Sequence, residues 1–216
     1  MHAQDVLDFW FLPASDPRHG ASRAQWFKKD DAFDADVARR FGALIDQAVA
    51  GGLREWDERG PEGVLARILV LDQFTRNAHR ERPASFAGDA LALAAATALV
   101  DSGAHVRLTP LQRWFAYMPF EHAEDARMQE RAVTLFTELA RVDASGGGTA
   151  DATGDATPDA TADTAAHAIF AGALDYALRH RGVIARFGRF PHRNAILGRA
   201  STADEIAFLQ QPGSRF

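Results

Sequence analysis

Apolar residues recur at three- and four-residue spacing through most of this chain, and nowhere do they alternate as a half-buried strand requires. Phe33, Val37, Phe41, Leu44, Ile45 and Ala48 form one such stripe, ended by Gly51-Gly52. Met128, Ala132, Leu135, Leu139 and Val142 form another within 123–142. Pro61 to Asn77 opens on a proline, which suits a first helical turn. Its middle, Ile68-Leu69-Val70-Leu71, is apolar on every side, as in a helix enclosed by others. Phe86 to Val100 is rich in the strong helix formers Ala and Leu. Thr109-Pro110-Leu111-Gln112 is a capping box whose helix is expected to run to Met118, and Thr202-Ala203-Asp204-Glu205 is a second. Asp5 to Phe11 starts a short aromatic helix cut off by Pro13, and His167 to Phe187 is a longer one closed by Gly188 and Pro191. These signals predict an all-α fold in which short connections make successive helices antiparallel neighbours.

The 216 residues suit a single helical domain, 1–216, and a 47% hydrophobic content is ample for its core. One segment differs. Asp-Ala-Thr recurs at 151, 155 and 159, and 143–166 holds glycines and a proline but no large apolar residue. It is expected to be a disordered insertion between two helices. Its aspartates lack the glutamate and turn glycine of a calcium loop, so no metal is expected there. A net charge of −5 argues against a nucleic-acid partner. The absence of cysteine removes disulfides, thiolate metal sites and cysteine nucleophiles, and suits a cytoplasmic location. Val6 to Leu12 is too short and aromatic for an export signal. Leu91 to Val100 falls short of the about 20 residues of a membrane span, so no membrane association is expected.

Polar residues interrupt the apolar faces in three places. Asp72 continues the stripe of Leu65 and Ile68, and Arg76 follows on the same face, with Asn77 beside it. A buried carboxylate needs a partner, so these residues form either a tie at a helix end or a base beside an anion clamp. If the helix of 123–142 reaches back far enough, His122, Asp125 and Gln129 share one side of it. The acids there suit a helix start, and an acid beside a histidine also suits acid–base chemistry. His180 shares an apolar face with Tyr176, Ile184 and Phe187. Beyond it, Arg179 to Arg199 contains six arginines and no acid. Its densest part is Arg186-Phe187-Gly188-Arg189-Phe190-Pro191-His192-Arg193-Asn194. Phenylalanines that must be buried pin these arginines, and positioned guanidiniums suit bidentate recognition of phosphate or carboxylate. The simplest packing points Asp72, His122 and His180 into one interior pocket, with Arg76, Arg189, His192 and Arg193 at its mouth.

The same segments resemble an uncharacterised bacterial family, domain-of-unknown-function family 924, over nearly the whole chain. The resemblance rests on Val6-Leu7-Asp8-Phe9-Trp10-Phe11, Trp26-Phe27, Gly52-Leu53 with Trp56, Leu71 to Asn77, Pro119 to Asp125, Arg186 to Asn194, and Leu197-Gly198-Arg199 with Ser201-Thr202. It departs from the family pattern at Thr75, where proline is usual, and at Glu121-His122-Ala123, where the pattern is closer to Met-His-Ser. The Ala123 change removes an expected N-cap hydroxyl. The resemblance implies a tetratricopeptide-repeat-like right-handed superhelix of helical hairpins, although no clear 34-residue repeat is visible. It implies no activity.

The residues therefore suggest a protein that binds a small anionic molecule or an acidic peptide. Asp72, His122 and His180 would line the pocket, with Arg76, Asn77, Gln129, Arg186, Arg189, His192, Arg193 and Asn194 as ligand contacts. The alternative is an enzyme on a phosphate- or carboxylate-bearing small molecule. His122 or His180 would then be the acid/base and Asp72 or Asp125 the orienting carboxylate. No nucleophile motif, P-loop or dinucleotide fingerprint is present, so no cofactor is named.

Overall fold

Helices form where the stripes and caps place them. The computed structural model describes residues 1–144 and 160–214. In chain order its helices are α1 (Ala3–Phe11), α2 (Asp31–Val49), α3 (Pro61–Ile68), α4 (Thr75–Ala78), α5 (Asp89–Asp101), α6 (Pro110–Glu121), α7 (Ala126–Ala144), α8 (Ala160–Phe187) and α9 (Ala203–Leu209). The described residues contain no strand. Both capping boxes are made. Gln112 N donates to Thr109 Oγ1 at 3.3 Å, and Thr109 N donates to Gln112 Oε1 at 3.0 Å. Glu205 N donates to Thr202 Oγ1 at 3.2 Å, and Thr202 N donates to Glu205 Oε2 at 2.7 Å. Asp30 starts α2 by accepting from Ala32 N at 3.0 Å and Phe33 N at 3.1 Å.

Successive helices are the main neighbours only from α5 onward, whereas the earlier ones pack across the sequence, with α2 against α4. α7 lies against both α6 and α8, α5 packs on α3 and α6, and α1 packs on α3. Aromatic side chains of α1, α2 and α6 join Phe74 in the main core, where Trp10, Phe41, Phe74 and Phe115 are fully buried. Trp10 meets Phe115 edge-on at 5.4 Å and Phe41 meets Phe74 at 4.7 Å, so the first 120 residues close around one aromatic cluster. Pro83–Asp101 has the length and mean hydropathy, 1.4, of a membrane span. Only the 13 residues of α5 in it form continuous α-helix, about 20 Å long. Ala92, Ala95, Ala96 and Leu99 of this helix face the core.

Several expected boundaries differ. The run from Pro61 to Asn77 is one helical path, but Leu69–Phe74 is a π turn, and all six of its residues are buried. α6 passes through Pro119 and ends at Glu121 rather than at Met118, while α7 starts at Ala126 rather than at 123. His122 is therefore the C-cap of α6, not an early residue of α7. Asp125 makes the N-cap contact expected of residue 123, accepting from Arg127 N at 2.8 Å and Met128 N at 3.0 Å. Helix covers both edges of the segment 143–166, and its remainder, 145–159, lies outside the described residues. Tyr176, expected on the apolar face of α8, is 52% exposed. Each four-residue step on a helix overshoots a full turn by about 40°, which carries Tyr176 off the buried stripe.

Candidate functional site

Asp72 lies within the π turn and is fully buried. In such a turn some carbonyls lose their usual i+4 donor and need another. Thr75 Oγ1 donates to Leu71 O at 2.7 Å, and Arg76 Nη1 donates to Asp72 O at 2.8 Å. The extra residue per turn lets Asp72 and Gln73 both face inward, and Gln73 Nε2 donates to Asp72 Oδ2 at 2.6 Å. Arg76 Nη1 is 3.0 Å from Asp72 Oδ1, and its guanidinium also grips Asp89 at 2.8 and 3.1 Å. Asp89 can reach Arg76 because Gly88 lets the start of α5 press on the π turn. A Cβ at Gly88 would lie 2.1 Å from Leu71 O.

The end of α6 brings His122 to the same carboxylate. His122 Nδ1 lies 2.7 Å from Asp72 Oδ1. Burial and the neighbouring Arg76 lower the His122 pKa, so the ring is neutral at neutral pH. Burial would raise the Asp72 carboxyl, but Arg76 and His122 hold it well below the usual carboxylate range. An ionised Asp72 fixes the tautomer: Nδ1–H donates to Oδ1 and Nε2 keeps its lone pair. Among the described residues Nε2 has no hydrogen-bond partner, and the side chain is 13% exposed.

His180, on α8, stands behind this pair, its ring centroid 6.4 Å from that of His122. Its Nδ1 lies 2.9 Å from Tyr176 O and 3.0 Å from Glu121 Oε1. Burial pushes His180 down to about 3. Burial, helped by the Asp72 charge, pushes Glu121 up to about 8. The contact has ion-pair geometry, yet at neutral pH both partners are uncharged.

Arg193 completes the group from the other side. Its guanidinium lies 4.7 Å from the Phe86 ring and 4.6 Å from the Phe190 ring. It donates to Asp89 Oδ2 at 3.2 Å and to His122 O at 3.0 Å. Burial and Arg76 pull its pKa down to about 10. Its Nε is buried and finds no acceptor among the described residues. With Glu121 and His122 neutral, Arg76 and Arg193 balance Asp72 and Asp89, and this group carries no net charge.

The structure thus brings together Asp72, Arg76, His122, His180 and Arg193. The His192 ring packs 5.7 Å from Phe190, and burial pushes its pKa down to about 4. Other sequence candidates are engaged elsewhere. Arg189 forms a bidentate pair with Glu205 at 2.7 and 2.8 Å. Asn194 joins that network by donating to Glu205 Oε2 at 3.3 Å, and also donates to Ser201 Oγ at 3.0 Å. Arg186 lies 4.6 Å over the Phe187 ring, and Asn77 donates to Asp34 at 2.7 Å. Asp125 is an exposed helix cap. Gln129 Nε2 donates to the carbonyls of Glu121 at 2.7 Å and Ala123 at 2.8 Å, tying α7 to the end of α6. The expected alignment of His122, Asp125 and Gln129 along one helix does not occur, because residues 123–125 separate α6 from α7.

Acids from outside the arginine-rich stretch meet most of its charges: Asp175 faces Arg179, Glu130 Arg181, Glu205 Arg189, Asp89 Arg193 and Glu124 Arg199. Glu124 holds the loop most firmly. It takes Arg199 through both oxygens at 2.6 and 2.8 Å and accepts Phe190 N at 2.8 Å. Sequence reasoning gave no role of their own to Glu121, Asp89 or Gln73. Glu121 carries a usable signal, since it lies four residues after the buried Tyr117 in α6. Asp89 carries none, because its role depends on the Gly88 contact. Among the described residues no group of three or more His, Cys, Asp or Glu side chains is placed to hold a metal ion.

The family model described as bacterial protein of unknown function (DUF924) matches residues 6–213, and the chain belongs to that family. A solved structure of a protein of unknown function from Agrobacterium tumefaciens, ATU0120, is similar at 35% identity. The match covers 96% of each chain with a TM-score of 0.74. No curated protein is significantly similar to the chain.

Proposed function

We propose that the protein binds a small anionic molecule at the rim formed by His122, Arg76 and Arg193. The observation that carries this reading is Arg193. A guanidinium fixed between two aromatic rings keeps a buried Nε–H that finds no acceptor among the described residues. Such an orphan donor favours an oxygen brought by a bound molecule. A carboxylate or phosphate oxygen supplies it. Because the resting charges cancel, an added anion is best accommodated with a proton, and His122 Nε2 is positioned to take one. Binding should therefore tighten as pH falls. We infer likewise that the helices pair as antiparallel hairpins in a tetratricopeptide-repeat-like superhelix. The packing of α5 on α6, α6 on α7 and α7 on α8 supports this.

A second reading rests on the 2.7 Å contact of Asp72 with His122. A carboxylate that orients an imidazole and leaves Nε2 open is an acid–base device, and the bound anion would then be a substrate. One experiment addresses binding directly. Isothermal titration with phosphate, acetate and citrate at pH 6 and pH 8, in two buffers of different ionisation enthalpy, counts the protons taken up. The expected result is uptake approaching one proton, affinity rising by up to about tenfold per pH unit, and loss of that dependence in His122→Gln. Glutamine keeps a donor towards Asp72. Affinity that is equal at both pH values, or unchanged in the variant, refutes the reading.

A further inference from the structure

A recess lies away from His122, between α3, α5 and the turn Arg54–Arg59 that precedes α3. Its volume is about 420 Å³, within the usual range of small-molecule sites. The floor is apolar, made by Val64 of α3 and by Leu91, Ala94, Ala95, Ala98 and Leu99 of α5. Arg54, Arg67 and Arg107 line the same space, with Asp57 as their acid neighbour. In a chain of net charge −5, this lining carries two uncancelled positive charges.

The arginines differ in role. Arg67 is only 8% exposed and is fixed by Asp57, with Nε–Oδ1 at 2.8 Å and Nη2–Oδ2 at 2.6 Å. Its Nη1 makes no hydrogen bond among the described residues, so a rigid guanidinium edge remains for an acceptor. Arg54 donates only to Gly51 O, at 3.3 Å, and Arg107 has no ion-pair partner among the described residues. Glu62 Oε2 and Arg107 Nη2 both approach the position of a Gly60 Cβ, at 3.6 and 4.0 Å, without pairing, and Glu62 does not line the recess. The wall that carries Asp57 is held against α3 by Gly63, where a Cβ would lie 1.9 Å from Trp56 O.

We propose that this recess is a second binding site, for a small amphipathic anion: a carboxylate or phosphate ester on an apolar body. The arginine rim takes the charged head and the Ala/Leu floor takes the tail. At ~30 Å³ per non-hydrogen atom, the recess holds a molecule on the order of a dozen such atoms. The proposal stands apart from the His122 reading, because it shares no residue with it.

The test titrates octanoate and octyl phosphate into the full chain by calorimetry, with octan-1-ol as the uncharged control. Both anions, or one of them, should bind at least tenfold more tightly than the alcohol, and more weakly as salt rises. Arg107→Ala should weaken binding about tenfold, the usual worth of a charge-assisted hydrogen bond. Ala98 is exposed at the recess, so Ala98→Phe should fill it, abolish binding and leave the melting temperature unchanged. His122→Gln should bind as the parent does. Failure of both anions to bind at millimolar concentration, equal binding of octanol, or undiminished binding by Ala98→Phe each overturns the proposal. If Ala98→Phe melts early, Ala94→Phe, at a second exposed floor position, serves in its place.

Discussion

Glu121 and His180 meet at 3.0 Å, and two opposite accounts of that contact make opposite predictions. As an ion pair, it would be broken by Glu121→Gln, which would destabilise the protein. As a neutral pair, it requires Glu121 to take up a proton on folding. The neutral account follows from burial, since Glu121 is 4% exposed and its pKa rises from 4.5 to about 8. A raised folded-state pKa means that the full stability is present below the unfolded value and is lost as pH rises towards the folded one. Each unit of that interval is worth about 1.4 kcal/mol, so at pH 7 the uptake costs on the order of 3 kcal/mol. Glutamine keeps the shape and the neutrality without the proton. Urea unfolding at pH 4.5, 5.5, 7 and 8.5 should therefore show Glu121→Gln gaining on the parent between pH 4.5 and about 8, and then levelling off. At pH 7 the variant should be the more stable by up to about 3 kcal/mol. A variant less stable than the parent at pH 7, or curves that stay parallel throughout, would refute the neutral pair.

His180 gives the complementary limb. Its folded pKa is depressed to about 3, so the parent should lose stability as pH falls below 6.5. His180→Gln should be spared this loss, with a relative gain of about 2 kcal/mol by pH 5 in the same unfolding series. Gly88→Ala puts a Cβ 2.1 Å from a backbone oxygen, so it should destabilise by about 3 kcal/mol or more. It should also separate Asp89 from Arg76, seen as faster amide exchange through 71–76. Unchanged exchange there would show that the Gly88 contact does not position the site.

Much of the fold was legible because helix signals are local. Pro61, the Thr109 and Thr202 capping boxes and the stripe from Phe33 to Ala48 act within a few residues of themselves, and each stands where its helix does. The burial of Asp72 and His180 was legible for the same reason, as polar residues set on apolar stripes. The π turn was not, since nothing in Leu69-Val70-Leu71-Asp72-Gln73-Phe74 distinguishes a wide turn from an ordinary one. The end of α6 was not legible either, since the helix runs on past Met118, through Pro119, to Glu121. Packing against α7 and α8 carries α6 through the proline.

What the sequence determined by itself is therefore the set of helices, the buried polar positions and the local excess of arginine in 179–199. What only the tertiary structure decided is charge. Glu124, Glu205 and Asp89, remote in sequence, reach Arg199, Arg189 and Arg193, while burial raises the Glu121 pKa and lowers that of His180, which favours their uncharged forms. The reason is physical. Hydrogen-bonded turns read only near neighbours along the chain, whereas ionisation depends on every charge and all the water within about a Debye length, and folding alone sets those distances.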